Sequence, residues 1–471
     1  MRDIRLALGY DEWVLLGVSY GTALGQAVID VDTEGTRAAI LDSVVPATDP
    51  TKRTWNTAAG FRSSLTAINE MCAAHEACAR DVGDMSAHFI AVFEAYDAEP
   101  MIIEDMDPGA VLDGRIVMDG SLAASAVFQA LYDHTLYADF PSLLIALETR
   151  DKAAITAYAG RLGRSIDHAA GNGLEIVANC RGSAIESEET LAQVAIDEPV
   201  LSGLVSSFQW NALCEGAYQI APDPSVRPLI TDVPVLVGAG LADPITPPSY
   251  SKSIMPGLTN GQYIEVPYTG HGAFVTHFDG CGGAMMLAFA KAPLDPVDTS
   301  CVADISPPDF FTNAIQTKGP YEFAIGLQSS NYPRGLLTAA LVALLALFAF
   351  PIGAAARKIE GRETLKLGGA RPLAWLAAAI TLGGLTLTIT QILATATNNP
   401  MALPIGVYPT ARYGLWIALI GLALSAFALV QAIRSGHFGR ARIGTSIGLT
   451  AVFVAALFIT VFLFNLGLGL F

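Results

Sequence analysis

Four long apolar runs close this sequence, at approximately 335–355, 373–394, 413–433 and 443–471, and none contains an acidic residue. Each is near or above the roughly 20 residues that a helix needs to cross a bilayer. A soluble core does not offer four such runs in succession, so the expectation is four membrane helices after a long preceding region. The spans carry Arg and His only near their ends, which gives little support to an ion or proton pathway.

Charge divides the chain at the same place. Residues 1–334 hold 18 Lys+Arg against 42 Asp+Glu, a net of −24, whereas residues 335–471 hold 9 against 2, a net of +7. The first part reads as an acidic globular region whose field repels phosphate, so nucleic acid is not an expected partner; the lipid bilayer is. The connection between the first two runs contains Arg357, Lys358, Arg362, Lys366 and Arg371, and that between the last two contains Arg434, Arg440 and Arg442. The middle connection, "TATNNPMALPIGVYPTAR", contains only Arg412. Basic loops stay cytoplasmic, so the expected location is a multi-pass protein of the cell membrane with residues 1–334 extracytoplasmic.

All six cysteines, Cys72, Cys78, Cys180, Cys214, Cys281 and Cys301, precede the first apolar run. An even number confined to an exported region suggests disulfides, with 15 possible connectivities. Cys72, His75 and Cys78 lie close together, but no CxxC pair supports a metal site, and neither metal nor cofactor is expected.

Near the start, "EWVLLGVS" reads as a buried strand, "GTALGQAVID" as a small-residue helix suited to close packing, and "RAAILDSVV" as a second strand. This is the βαβ rhythm of a parallel sheet. Helical patterns such as "AAGFRSSLTAINEMCAAHEACARDV" and "SLAASAVFQALYDHTLY" then interrupt it, and the rhythm resumes with "VPVLVGAG", "GQYIEVP" and a helix around 282–291. The expected organisation is a core segment at 1–49, a helical insertion at 50–228, a second core segment at 229–304, an irregular linker at 305–334 and the membrane region at 335–471.

Between the first strand and helix, "LLGVSYGTALG" contains Gly17, Ser19 and Gly21 as a GxSxG. The motif alone is weak, but a strand before it and a helix after it are the context of a nucleophile elbow. That geometry projects the Ser19 hydroxyl from the sheet and offers the Tyr20 backbone N–H to a tetrahedral oxyanion. A serine needs a base to take its proton and a carboxylate to hold that base, in the chain order Ser, acid, His. Asp243 in "VGAGLADPITPP" and His271 in "VPYTGHGAF" each follow a strand, where catalytic groups of parallel sheets gather.

These three stretches resemble the proline iminopeptidase and tripeptidyl aminopeptidase-like branch of the α/β-hydrolases, over roughly 1–304. The resemblance implies nucleophile Ser19, acid Asp243 and base His271, a helical cap over the site, and a C-terminal segment similar to the family's at Cys281 and Cys301. The expected pairs are then Cys72 with Cys78, Cys180 with Cys214 and Cys281 with Cys301. Residues six apart in an unbroken helix face different ways, so the first pair requires a helix end between them.

The family's sheet begins with further strands, and an HGGPG-like loop supplies its second oxyanion donor. Neither these strands nor the loop has a counterpart before Ser19, and "MRDIRLALGYDEW" has charges where a secretory signal would be apolar. The expectation is therefore a partial, N-terminally truncated α/β-hydrolase. Its expected function is a membrane-anchored serine hydrolase, a peptidase releasing short N-terminal pieces, with a peptide or small ester as substrate. An esterase or lipase, or a catalytically silent binding module, are the alternatives.

Overall fold

The computed structural model divides into two compact units, Met1–Thr312 and Asn313–Phe471. It describes residues 1–47, 57–104, 115–152, 227–312, 314–328, 334–361, 369–399, 402–435 and 443–468, with a few further positions between 154 and 201.

The first unit is built on a parallel four-stranded sheet. After helix α1 (Arg2–Ala7) come β1 (Trp13–Val18), α2 (Tyr20–Val31) and β2 (Thr36–Asp42). The sheet is completed further along the chain by β5 (Val235–Gly240) and β6 (Gly261–Val266), in the order β1-β2-β5-β6. Side chains alternate across a strand, so each strand feeds both faces. Ala39, Leu41, Val235 and Val237 meet Val28 and Ile29 of α2 and Ile254 of α8 (Pro248–Ile254) on one side. Ala38, Ile40, Leu236 and Ile264 meet Met285, Met286 and Phe289 of α9 (Cys281–Lys291) on the other. Strand β5 is buried along its whole length, as expected of a central parallel strand covered on both faces. The outer edge of β1 has no paired strand among the described residues, and its Leu16, in register with Ile40, is 53% exposed. A parallel sheet flanked by helices, with the elbow strand at its edge, is consistent with a partial α/β-hydrolase.

Between β2 and β5 the described residues are mainly helical: α3 (Thr57–Ala74), α4 (Glu76–Asp81), α5 (Met85–Ala98), the hairpin β3 (Met101–Ile103) and β4 (Ile116–Met118), α6 (Gly120–Leu131) and α7 (Phe140–Glu148). Asp84 and Asp119 cap α5 and α6 through the N–H groups of Ala87 and Leu122. Buried Phe61, Phe89, Phe93, Phe128 and Phe140 contact one another across these helices. The chain breaks at His75, whose ring nitrogen accepts the Cys78 N–H, and that break lets Cys72 and Cys78 bond. Cys281 bonds Cys301, tying the start of α9 to the segment after it. Cys180 is buried and disulfide-bonded. Cys214, and with it the expected Cys180–Cys214 pair, lies outside the described residues, as does most of the insertion beyond 156.

In the second unit, β7 (Ile315–Gln316) and α10 (Gly319–Gln328) occupy part of the stretch expected to be irregular. Tertiary packing explains the helix: Phe323 stacks edge-on against Phe462, and Thr317 donates its hydroxyl to Leu466 O. Four helices follow, α11 (Arg334–Ile359), α12 (Ala370–Asn398), α13 (Ala411–Arg434) and α14 (Ile443–Asn465), with β8 (Gly406–Val407) pairing β7. All four are long and apolar enough to cross a membrane. Helices α12 and α13 approach closely through small residues. Ala411, Gly414, Ala418, Gly421, Ser425, Ala428 and Ala432 recur every three or four positions and are buried, facing Thr381, Gly384 and Thr388. Without a hydrophobic driving force inside lipid, close backbone approach of this kind drives helix association.

Candidate active site

The site lies at the C-terminal edge of the parallel sheet, where three strands end in unusual backbone. Ser19 after β1, Ser43 after β2 and Tyr268 after β6 have φ of 55°, 60° and 55°. Such conformations cost L-residues of order 1–3 kcal/mol each and cluster at functional sites. At Ser19, with ψ −126°, the chain turns directly from strand to helix. A Cβ at Gly17 would collide with the carbonyl of Gly21, so the first glycine of the motif is a steric necessity; Gly21 itself faces open space. The Ser19 N–H donates to Asp42 O at 3.0 Å, holding the elbow to β2. Tyr20 opens α2, 49% exposed, so its N–H belongs to the helix turn that lacks intrahelical partners and carries the positive end of the dipole.

Asp243 and His271 come together from loops 28 residues apart. His271 Nδ1 lies 2.9 Å from Asp243 Oδ2, and the carboxylate is completely buried. Its other acceptor positions are filled by the N–H groups of Ile245 (3.0 Å) and Thr246 (2.8 Å) on Oδ1 and by the Thr246 hydroxyl (2.7 Å) on Oδ2. Thr246 Oγ1 is also 3.1 Å from His271 Nδ1. An acceptor-only carboxylate makes Nδ1 the protonated ring nitrogen, leaving the Nε2 lone pair to act as a base.

Burial pushes the Asp243 carboxyl up, but the charge and hydrogen bond of His271, together with Thr246, outweigh it, and the net direction is down. For His271, burial pulls downward while Asp243 and then Asp42 push upward, and the net direction is up from 6.5. The pair thus favours imidazolium next to carboxylate, the charge arrangement that acyl transfer creates.

The insertion helices cover the base. His271 donates its backbone N–H to Tyr132 O at 3.2 Å, and the Tyr132 ring stands edge-on to the imidazole at 5.0 Å. Gly270 lets the loop pass this close, since a Cβ there would meet Leu131 O and the Tyr137 hydroxyl. The His271 side chain is left 13% exposed. Among the described residues Ser19 Oγ makes no hydrogen bond, so the serine and the base are not directly linked here. Both nevertheless sit at one edge: the Cβ position of Gly272 is 4.0 Å from Val18 Cγ1, beside Ser19. Among the described residues no group of three or more His, Cys, Asp or Glu could hold a metal ion.

Sequence reasoning missed four contributors: Thr246, Asp42, Ser43 and Tyr132. Thr246 was open to inference, since a hydroxyl three residues after an acid, with a proline between, suits a capped turn on that acid. The other three act through contacts more than 100 residues away in sequence.

The parallel sheet and its flanking helices are consistent with a partial α/β-hydrolase, and comparison with known proteins points the same way. The sequence matches the family described as TAP-like protein over residues 203–301, within the α/β-hydrolases. It is similar to the protein named Serine protease Hip1 in Mycobacterium tuberculosis and Mycobacterium bovis, at 33% identity over 103 residues. That alignment covers 22% of this chain and 19% of the relatives, so the chain spans about a fifth of the length of the curated relatives it matches.

Proposed function

We propose that this chain is a membrane-anchored serine hydrolase that works through an acyl-enzyme, with Ser19 as nucleophile, His271 as base and Asp243 as the acid that orients it. The observation that carries this reading is the buried Asp243–His271 pair, oriented with Nε2 free, on the same sheet edge as a strained strand-to-helix serine. His271 Nε2 takes the proton from Ser19 Oγ as the oxygen attacks a carbonyl, and the Tyr20 N–H receives the oxyanion. Collapse breaks the bond to the amine or alcohol, which leaves with the proton from His271. Water then attacks the acyl-serine by the same route and frees the acid.

The substrate assigned is a peptide, cleaved near its N-terminus. Support comes from the TAP-like match and from the similarity to a protein named as a serine protease, together with the helices that close over His271 and restrict access. Anchoring is supported by the four apolar helices, and an extracytoplasmic placement of the hydrolase unit by the basic connections and by disulfides at Cys72–Cys78 and Cys281–Cys301.

The test is fluorophosphonate labelling of the chain in membranes, followed by a matched panel of peptides and small esters. Labelling is expected on Ser19 and is lost in Ser19→Ala, with peptide turnover lost alongside it. Labelling without peptide turnover but with ester turnover would make the protein an esterase. An unlabelled Ser19 would overturn the hydrolase reading.

A further inference from the structure

Asp42, the last residue of β2, and Ser43, which follows it, together touch both halves of the candidate site. Asp42 is fully buried; its backbone carbonyl accepts the Ser19 N–H at 3.0 Å, while its side-chain Oδ2 accepts the N–H groups of Phe274 at 2.9 Å and Val275 at 3.0 Å. Ser43, held at φ 60°, accepts the Gly272 N–H on its hydroxyl at 2.8 Å and donates its own N–H to Gly238 O of β5 at 3.0 Å. Three of the four residues that follow His271 are therefore hung from the dipeptide that also fixes the backbone of the nucleophile. The remaining Asp42 oxygen, Oδ1, is buried without a hydrogen-bond partner. A carboxyl needed only as a backbone acceptor gains nothing from that orphan oxygen, and leaving it unsatisfied costs free energy.

We propose that Asp42 and Ser43 are positioning residues that set the distance between Ser19 and His271, and that the Asp42 carboxylate, bonded to the backbone just after the base, favours the protonated form of His271 during acyl transfer. The inference rests on the reading of Ser19, His271 and Asp243 as a triad. Base-to-nucleophile distance is the quantity to which proton transfer is most sensitive, and a misplacement of about 1 Å costs on the order of a hundredfold in rate. Holding both partners from one rigid strand end removes the freedom of the long loops between them.

The electrostatic part agrees with the surroundings. Burial pushes the Asp42 carboxyl up to about 6, against the pull of the Val275 and Phe274 N–H groups and the His271 charge. In its ionised form Asp42 adds to the support that Asp243 gives the protonated imidazole. The other titratable groups facing this loop are Tyr132 and Tyr137, whose phenols burial keeps neutral, and the adjacent His134 and His277 rings, which burial holds below 6.5.

The experiment compares the full chain with Asp42→Asn, Asp42→Ala and Ser43→Ala. Asn keeps an acceptor and drops the charge, Ala at 42 removes both, and Ala at 43 removes one hydrogen bond with no change of charge. Three measurements are read: the rate of fluorophosphonate labelling of Ser19, kcat and KM on an activated ester, and carbethoxylation of His271 against pH by peptide mass spectrometry. Asp42→Ala and Ser43→Ala are expected to slow labelling about tenfold or more through kcat, with KM unchanged. Asp42→Asn is expected to slow it less than about threefold but to move the His271 midpoint down by about half a pH unit in both labelling and carbethoxylation. Parent-like labelling rates in Ser43→Ala and Asp42→Ala would overturn the positioning role. An unmoved midpoint in Asp42→Asn would overturn the electrostatic one. Should Asp42→Ala fail to fold, Ser43→Ala and Asp42→Asn decide alone. A parent whose Ser19 does not label would overturn the triad reading instead, while carbethoxylation still reports whether Asp42 acts on His271.

Discussion

At the scale of single residues, the site is governed by the state of one proton on His271. Under the proposed mechanism His271 must be neutral at Nε2 to accept from Ser19, and Asp243 holds its affinity for protons above the usual 6.5. Labelling of Ser19 should therefore rise with pH along an acid limb whose midpoint lies above 6.5, and the midpoint should fall when Asp243 is replaced by Asn. The same raised affinity links to stability: His271 contributes stability that is fully present below its unfolded-state value and is lost as pH rises through the folded one. Thr246 donates to the carboxylate oxygen that His271 also uses. Hydrogen bonds to charged groups are worth about 1.5–3 kcal/mol, so Thr246→Val should slow labelling by on the order of tenfold while leaving the fold intact by circular dichroism. The Asp243–His271 contact and the strand-to-helix turn at Ser19 follow the residue types, chain order and positions after strand ends from which they were expected. Asp42 was not legible in this way, because an aspartate closing an apolar strand has no local signature of the loop it will receive.

At the scale of elements, periodicity carried most of the information. The strands at Trp13–Val18, Thr36–Asp42, Val235–Gly240 and Gly261–Val266 lie, to within one residue, inside the stretches that suggest them, and Val235–Gly240, covered on both faces, is buried throughout. The break between α3 and α4 was required by the Cys72–Cys78 pairing and occurs at His75, which caps the second helix. Helix α10 escaped a sequence reading that saw only proline and glycine around it, since its stability comes from Phe323 on Phe462 rather than from local propensity. The α12–α13 pair gives the sharpest element-scale test. A Cβ at Gly421 would run into the Thr381 hydroxyl, so Gly421→Val should force the helices apart. Overpacking of this kind costs about 1–3 kcal/mol, to be read as a lower unfolding midpoint in detergent, whereas Gly383→Ala, facing open space on the same helix pair, should be close to neutral.

At the scale of the whole chain, two units carry different surfaces. The acidic unit buries a sheet and an aromatic cluster, and the second unit turns apolar side chains such as Leu341, Phe348, Ile420 and Phe458 outward. Exposed side chains of that kind are stable in lipid and not in water. Under the proposed topology the Cys281–Cys301 bond forms only after the first unit has left the cytoplasm. Maleimide blocking in intact cells should find both thiols oxidised. Replacing Arg357, Lys358, Arg362, Lys366 and Arg371 together by Gln should raise the fraction of free thiol, because the charges that hold that connection inside are gone.

The sequence by itself determined the properties that depend on neighbours along the chain: which runs suit lipid, which suit a sheet interior, where the serine turns and which side the basic loops favour. These follow from period and composition, for which a few adjacent residues suffice. Tertiary structure decided everything that depends on distance across the sheet. It brought His271 to Asp243, hung the loop after His271 from Asp42 and Ser43, set Tyr132 against the imidazole and left Leu16 exposed. The physical reason is that hydrogen bonds and burial act over a few ångströms, and only closure of the fold brings residues more than 200 positions apart, such as Ser43 and Gly272, within that range.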